Sequence, residues 1–160
     1  MGLRNVVMAA KPLIYLVDDR ADYRFLVEQV FNRFLPQYAL RSFDSGTALC
    51  RHLDQQAGPD VPNLVLMDMQ MPGLNGLQTL QHIRRCAPWP LVPVVMMTTQ
   101  TAPDEQAACY EAGASAFVPK PDSLPQLHQT LRVICQYWLE LNQQPTVPPG
   151  RPTTSLPSSG

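Results

Sequence analysis

The chain has 160 residues, 45% of them apolar, and a net charge of −1. That length and composition suit one domain with a proper core, and the charge excludes a global attraction for nucleic acid or anionic membrane. No apolar run reaches the roughly 18 residues of a membrane span and no signal peptide is apparent, so a cytoplasmic location without direct nucleic-acid or membrane binding is expected.

Residues 1–11 form a short lead without a clear period. Leu13-Ile14-Tyr15-Leu16-Val17 reads as a strand that runs directly into Asp18-Asp19. From Ala21 to Leu35, Leu26, Val27, Val30, Phe31 and Phe34 recur at helical spacing, and Pro36 stops the helix. Tyr38 to Phe43 reads as a short strand, after which Asp44 and Ser45 can cap a helix reaching Gln56. A Gly58-Pro59-Asp60 loop leads to the apolar run from Asn63 to Met67. That run delivers Asp68 to its end, and Met69-Gln70-Met71-Pro72-Gly73 then turns the chain.

Asn75, with Gln78 three residues on, has the pattern of a capping box. The helix it opens carries Leu77, Leu80 and Ile83. Leu91 to Thr98 is a further apolar strand, ending in Thr98-Thr99. Pro103-Asp104-Glu105 starts a helix that Gly113 ends, and Ala116-Phe117-Val118 is a very short strand followed by Lys120-Pro121. In the last helix, from Ser123, the apolar positions Leu124, Leu127, Leu131, Ile134, Trp138 and Leu141 step by three or four. Residues 143–160 are rich in Pro, Ser and Thr and read as a disordered tail or cloning remnant, leaving one folded domain over residues 12–142 and no attached output module. Cys50, Cys86, Cys109 and Cys135 form no CxxC pair and read as reduced thiols. His52, His82 and His128 lie in helices without a partner motif, and no catalytic or metal role is expected of them.

Five strands alternating with five helices imply an α/β fold with a parallel sheet covered on both faces. The five-strand doubly wound order is 2-1-3-4-5, the flavodoxin-like arrangement, with its switch point between strands 1 and 3. On that order Asp18, Asp19 and Asp68 converge at one rim. Like charges at close quarters resist ionising together unless a cation joins them, and an all-carboxylate set suits a hard ion such as Mg2+. Strand 4 adds the hydroxyl of Thr98, and strand 5 adds the ammonium of Lys120. Together they make a site for a phosphoryl group on Asp68, with metal and lysine neutralising the developing charge.

From Leu13 to Leu141 the chain resembles the receiver domain of two-component response regulators. The resemblance rests on Asp18-Asp19, on Asp68 to Gly76, on Thr98, and on the run Gly113 to Pro121. It implies that Asp68 is the phospho-acceptor, served by a sensor histidine kinase or histidine phosphotransfer protein. It implies Asp19 as a direct Mg2+ ligand, Asp18 as a ligand mainly through water, and the backbone carbonyl of Gln70 as a further ligand. Thr98 resembles the switch hydroxyl, Lys120 the phosphate-pairing lysine, and Phe117 the switch aromatic. The Lys120–Pro121 bond is expected to be cis.

Phosphorylation would then rearrange the surface of helix 4, strand 5 and helix 5, where Gln129, Arg132, Gln136 and Tyr137 lie off the apolar stripe. A downstream protein target is expected there, on a monomer or a weak homodimer, and no catalysis beyond the receiver's own phosphorylation and dephosphorylation. The chain departs from the family at Thr99, where Ala or Gly is usual, and at Phe117, which lacks a tyrosine hydroxyl. Uncharged Gln70 and Gln100 flank the site. Two other readings are a degenerate receiver that binds partners without phosphorylation, and an aspartyl-phosphate hydrolase. The intact acidic, threonine and lysine set argues against the first. Gln70, standing where a second Asp would be needed, argues against the second.

Overall fold

A computed structural model describes residues 10–55, 61–86, 91–99 and 102–143. The expected lead over residues 1–9, the 58–60 loop, Gln100 and the tail beyond Gln143 lie outside the described residues. The elements in chain order are β1 (Leu13–Val17), α1 (Ala21–Phe34), β2 (Ala39–Phe43), α2 (Gly46–Asp54) and β3 (Leu64–Asp68). They continue with α3 (Gly76–Cys86), β4 (Val94–Thr98), α4 (Pro103–Glu111), β5 (Ala116–Pro119) and α5 (Leu124–Cys135), which runs on into a π-helical segment, Gln136–Leu141. All strands are parallel in the order β2-β1-β3-β4-β5, as the alternation implied.

Side chains alternate across the strands and so build two cores. Ile14, Leu16, Leu64, Leu66, Val95 and Met97 pack with Val27, Val30 and Phe31 of α1 and Leu127, Leu131 and Ile134 of α5. Tyr15, Val17, Val65, Met67, Val94 and Met96 pack with Leu49 of α2, Leu80 and Ile83 of α3 and Cys109 of α4. Every residue of β3 and β4 is buried, which is why these strands are unbroken apolar runs.

The helix ends form by the chemistry their sequences suggest. Ser45 Oγ accepts from the Ala48 N–H at 3.0 Å. Asn75 and Gln78 exchange side chain for backbone, with the Gln78 N–H donating to Asn75 Oδ1 at 2.9 Å and the Asn75 N–H to Gln78 Oε1 at 3.0 Å. Ser123 Oγ accepts from the Gln126 N–H. Gly113, at φ +100°, closes α4 as a left-handed residue.

Three details differ from the sequence expectation. Leu26 and Phe34 are exposed, because α1 turns only the face carrying Tyr23, Val27, Val30 and Phe31 to the core; Phe34 instead stacks on His128, ring centroids 4.3 Å apart. Leu124 and Leu141 are exposed as well. The π-helical segment breaks the 3.6-residue period, so Trp138 and Leu139 face the core where a continuing α-helix would place Leu141. Leu91 lies exposed ahead of β4.

The histidines have structural neighbours: His52 Nε2 lies 3.3 Å from the Tyr15 hydroxyl, and His82 Nε2 3.4 Å from Asp54. Cys50, Cys109 and Cys135 are buried, and burial pushes the Cys135 thiol up to about 12. No helix among the described residues is long and apolar enough to cross a membrane.

Candidate functional site

The chain leaves β1 towards β2 on one side, while β3 lies on the other, so a crevice opens between the C-terminal ends of β1 and β3. β1 stops at Val17 and presents Asp18 and Asp19; β3 ends on Asp68 itself. Asp18 and Asp68 are buried, at 1% and 5% exposure, and Asp19 is exposed. One carboxylate oxygen from each lies within 4.8 Å of the others. The three acids singled out in the sequence therefore meet.

Backbone contacts fix two of them. Asp18 Oδ1 accepts from the Arg20 N–H at 2.9 Å, and Arg24 Nη1 donates to the Asp18 carbonyl at 2.7 Å. Asp68 Oδ1 accepts from the Gln70 N–H at 3.2 Å. Arg20 is the N-cap of α1 and makes no side-chain cap bond, and Asp22 Oδ1 accepts from the adjacent Tyr23 N–H. Asp19 is thus not consumed as a helix cap.

Lys120 comes from the end of β5. Its N–H donates to the Thr98 carbonyl at 2.7 Å, tying the two strand ends together. Its ammonium lies 2.7 Å from Asp18 Oδ2 and 3.4 Å from Asp68 Oδ1, with the side chain only 7% exposed. The expected cis bond at Pro121 is not found: no peptide bond among the described residues is cis. Trans is the ordinary preference of an X–Pro bond by about 0.5–1 kcal/mol, and in the trans form Lys120 already reaches both carboxylates.

Thr98 is fully buried, one residue beyond the Met97 that registers with Asp68. Phe117 registers with Met96 and packs, partly buried, against the α2–α4 side of the core. Thr99 and Gln70 are exposed.

Two residues of the site were not singled out in the sequence. Arg24 braces the backbone of Asp18. Tyr23 lies with its ring under the Lys120 ammonium, 4.4 Å from centroid to Nζ. The signal for Tyr23 was its place four residues before Val27 on the buried stripe of α1.

Burial, and secondarily the charge of Asp18, raises the Asp68 carboxyl to about 6; Lys120 and the Gln70 N–H offset part of that rise. Asp68 is accordingly ionised at neutral pH, though less readily than a surface carboxylate. Three carboxylates against one ammonium leave two net negative charges, and the donors are all oxygen. That set fits a hard divalent cation held by Asp18, Asp19 and Asp68.

The sequence profile of the response regulator receiver domain matches residues 14–132. The probable methanogenesis regulatory protein FilR2 of Methanothrix harundinacea is 29% identical over 144 residues, covering 88% of this chain and 93% of FilR2. Response regulator Rcp1 of Synechocystis is 29% identical over 133 residues, covering 81% of this chain and 90% of Rcp1. The solved Mn2+-bound form of Rcp1 superposes with a TM-score of 0.72, over 84% of this chain and 99% of that one. The phosphorylated cyanobacterial phytochrome response regulator RcpA superposes with a TM-score of 0.77 at 24% identity, over 86% and 100%, a likeness of fold. With its strand order, its acidic rim and a profile match over most of its length, this chain belongs to the response regulator receiver domain family, the signal-receiving modules of two-component phosphorelays.

Proposed function

We propose that the chain is a phosphorylation switch whose acceptor is Asp68 and whose donor is the phosphohistidine of a sensor histidine kinase or histidine phosphotransfer protein. One observation carries the reading. The Lys120 ammonium and the carboxylates of Asp18 and Asp19 gather around Asp68, the carboxylate that ends β3. A carboxylate oxygen of Asp68 attacks phosphorus, the donor's P–N bond breaks, and its electron pair stays on the departing imidazole. Mg2+ held by Asp18, Asp19, Asp68 and the Gln70 carbonyl would neutralise charge on the transferring oxygens.

The rest follows from this chain's own groups. The acyl phosphate adds about −1.5 to −2 charge and new acceptor oxygens, taking phosphate esters as the guide. Lys120, already 3.4 Å from Asp68 Oδ1, turns to those oxygens. The Thr98 hydroxyl does the same, and the backbone bond from Lys120 to Thr98 carries the movement to β5. Phe117 follows into the space beside Thr98. The α4–β5–α5 surface, where exposed Gln129 lies beside Pro119 and Pro121, then changes its affinity for a downstream protein; Arg132 and Gln136, expected there, instead line a groove with Leu35, Gln37 and Tyr38 on the other flank of α5. The shift in population is limited by the difference in interaction energy between the two states.

Incubation with acetyl phosphate and Mg2+, followed by borohydride reduction, should mark Asp68 alone as the modified residue. Modification at another residue, or none with metal present, would falsify the assignment.

The metal set has its own expected outcome. Mg2+ or Mn2+ should raise the melting temperature, because the folded acids bind the ion and the unfolded chain does not; at 100 times Kd the gain is about 2.7 kcal/mol. Asp19→Asn should weaken that response at least tenfold, roughly the loss of one ligand charge, while leaving the metal-free melting temperature at or above wild type. An unchanged metal titration in Asp19→Asn would remove Asp19 from the ligand set.

A further inference from the structure

We infer that Tyr23 is a positioning residue for the phosphoryl transfer, its aromatic face holding the Lys120 ammonium between Asp18 and Asp68. The inference rests on the proposed transfer to Asp68 and adds a residue to it.

The third residue of α1, Tyr23 stands one helical turn before buried Val27. Its ring packs on the α1–α5 core on one side and meets the Lys120 ammonium on the other, 4.4 Å from the centroid. That ammonium has almost no water around it, since the lysine side chain is 7% exposed. Around it stand Asp18, Asp68 and the negative face of the ring. The two carboxylates are unequal partners, at 2.7 and 3.4 Å. Without the ring the ammonium is free to relax onto Asp18, the nearer acid, and away from the oxygen where charge must be neutralised.

The hydroxyl takes no part in this. Tyr23 Oη is buried and makes no hydrogen bond to any described residue. The ring is therefore placed by packing and by the cation, and a phenylalanine would keep every contact that the structure shows. An unpaired buried hydroxyl is a cost to the folded state, not an anchor.

The experiment measures the rate of phosphorylation by acetyl phosphate with Mg2+. Tyr23→Phe should keep the wild-type rate to within about twofold and melt no lower, since ring and packing are retained. Tyr23→Leu keeps an apolar side chain but no π-face, and should be about tenfold slower. In a Lys120→Ala background, Tyr23→Leu should bring no further slowing, because the group it positions is gone. A purely structural role would slow both backgrounds alike, and that result overturns the inference.

Should Tyr23→Leu fail to fold, fluorinated phenylalanines at position 23 serve instead. They weaken the π-face stepwise at nearly constant shape, so the rate should fall with each fluorine; a flat series overturns the inference. The Lys120 ammonium proton resonance gives a readout that needs no phosphodonor. It should show a ring-current shift in wild type and in Tyr23→Phe, and lose it in Tyr23→Leu. Its staying put would show that the ring does not hold the ammonium. Wild-type protein that takes no phosphoryl group on Asp68 would end the proposed transfer, and with it the positioning role, while that resonance still decides whether the contact exists.

Discussion

Asp68→Asn is expected to take up no phosphoryl group and yet to resist unfolding better than wild type at pH 7 without metal. The first half follows from losing the nucleophilic oxygen. The second follows from the acid's surroundings. Burial and Asp18 raise the Asp68 carboxyl from 3.8 to about 6, a net figure that already includes the attraction of Lys120. A carboxyl raised in the folded state binds its proton more tightly there than in the unfolded chain. Its destabilising effect is thus fully present above pH 6 and is relieved as pH falls from about 6 towards 4.

With allowance for solvent screening at the rim, the effect is on the order of 2 kcal/mol, or roughly 6 °C in melting temperature for a domain of this size. An uncharged amide of the same shape removes it. Thermal melts in chelator across pH 4 to 8 should show the variant above wild type at neutral pH, with the gap closing below pH 6. Mg2+ should narrow the gap at pH 7 from the other direction, by stabilising wild type. A variant that melts lower than wild type at pH 7 in chelator would mean that the paired contacts of Asp68 outweigh its desolvation.

Gly76→Ala should damage both the fold and the site. A Cβ at Gly76 would stand 2.5 Å from the Asp68 carbonyl oxygen, 2.8 Å from Met69 Cα and 2.7 Å from Met96 Cε. Met96 could swing its terminal methyl aside, but the two backbone atoms cannot yield without moving β3. The Gly76 N–H also donates to the Met69 carbonyl at 3.0 Å, so α3 begins against the end of the acceptor strand. An added methyl would push α3 off that strand and carry Asp68 and Gln70 out of place.

Overpacking of this kind costs about 3 kcal/mol, against which the better helix propensity of alanine returns at most about 1 kcal/mol. The melting temperature should fall by roughly 6–8 °C, and phosphorylation of Asp68 should slow more than tenfold as its geometry is lost. A Gly76→Ala protein that melts with wild type and labels at the same rate would show that α3 can move without disturbing the acceptor.

Much of the machinery was legible in one dimension, for a physical reason. Parallel sheets buried on both faces need unbroken apolar strands, so β1, β3 and β4 announced themselves, and the polar residues that interrupt them at their ends had to be Asp18, Asp68 and Thr98. Local hydrogen-bonding chemistry marked the Asn75–Gln78 box and the Gly113 stop, because those contacts are made within a few residues. Other features had no local signature. The π-helical segment from Gln136 reflects how the last helix meets the core, and its Glu140 is anchored by the Tyr38 hydroxyl of a distant strand entrance.

Residue types and their spacing alone thus determined the layered fold, the strand order and the acids that share its rim. Tertiary structure decided that Lys120 leans on Asp18 more closely than on Asp68 through a trans bond, that Tyr23 lies beneath its ammonium, and that only a hydrogen fits at Gly76. Periodicity records which face of an element is buried. Distances of a few tenths of an ångström between groups far apart in the chain arise only when all the elements pack at once.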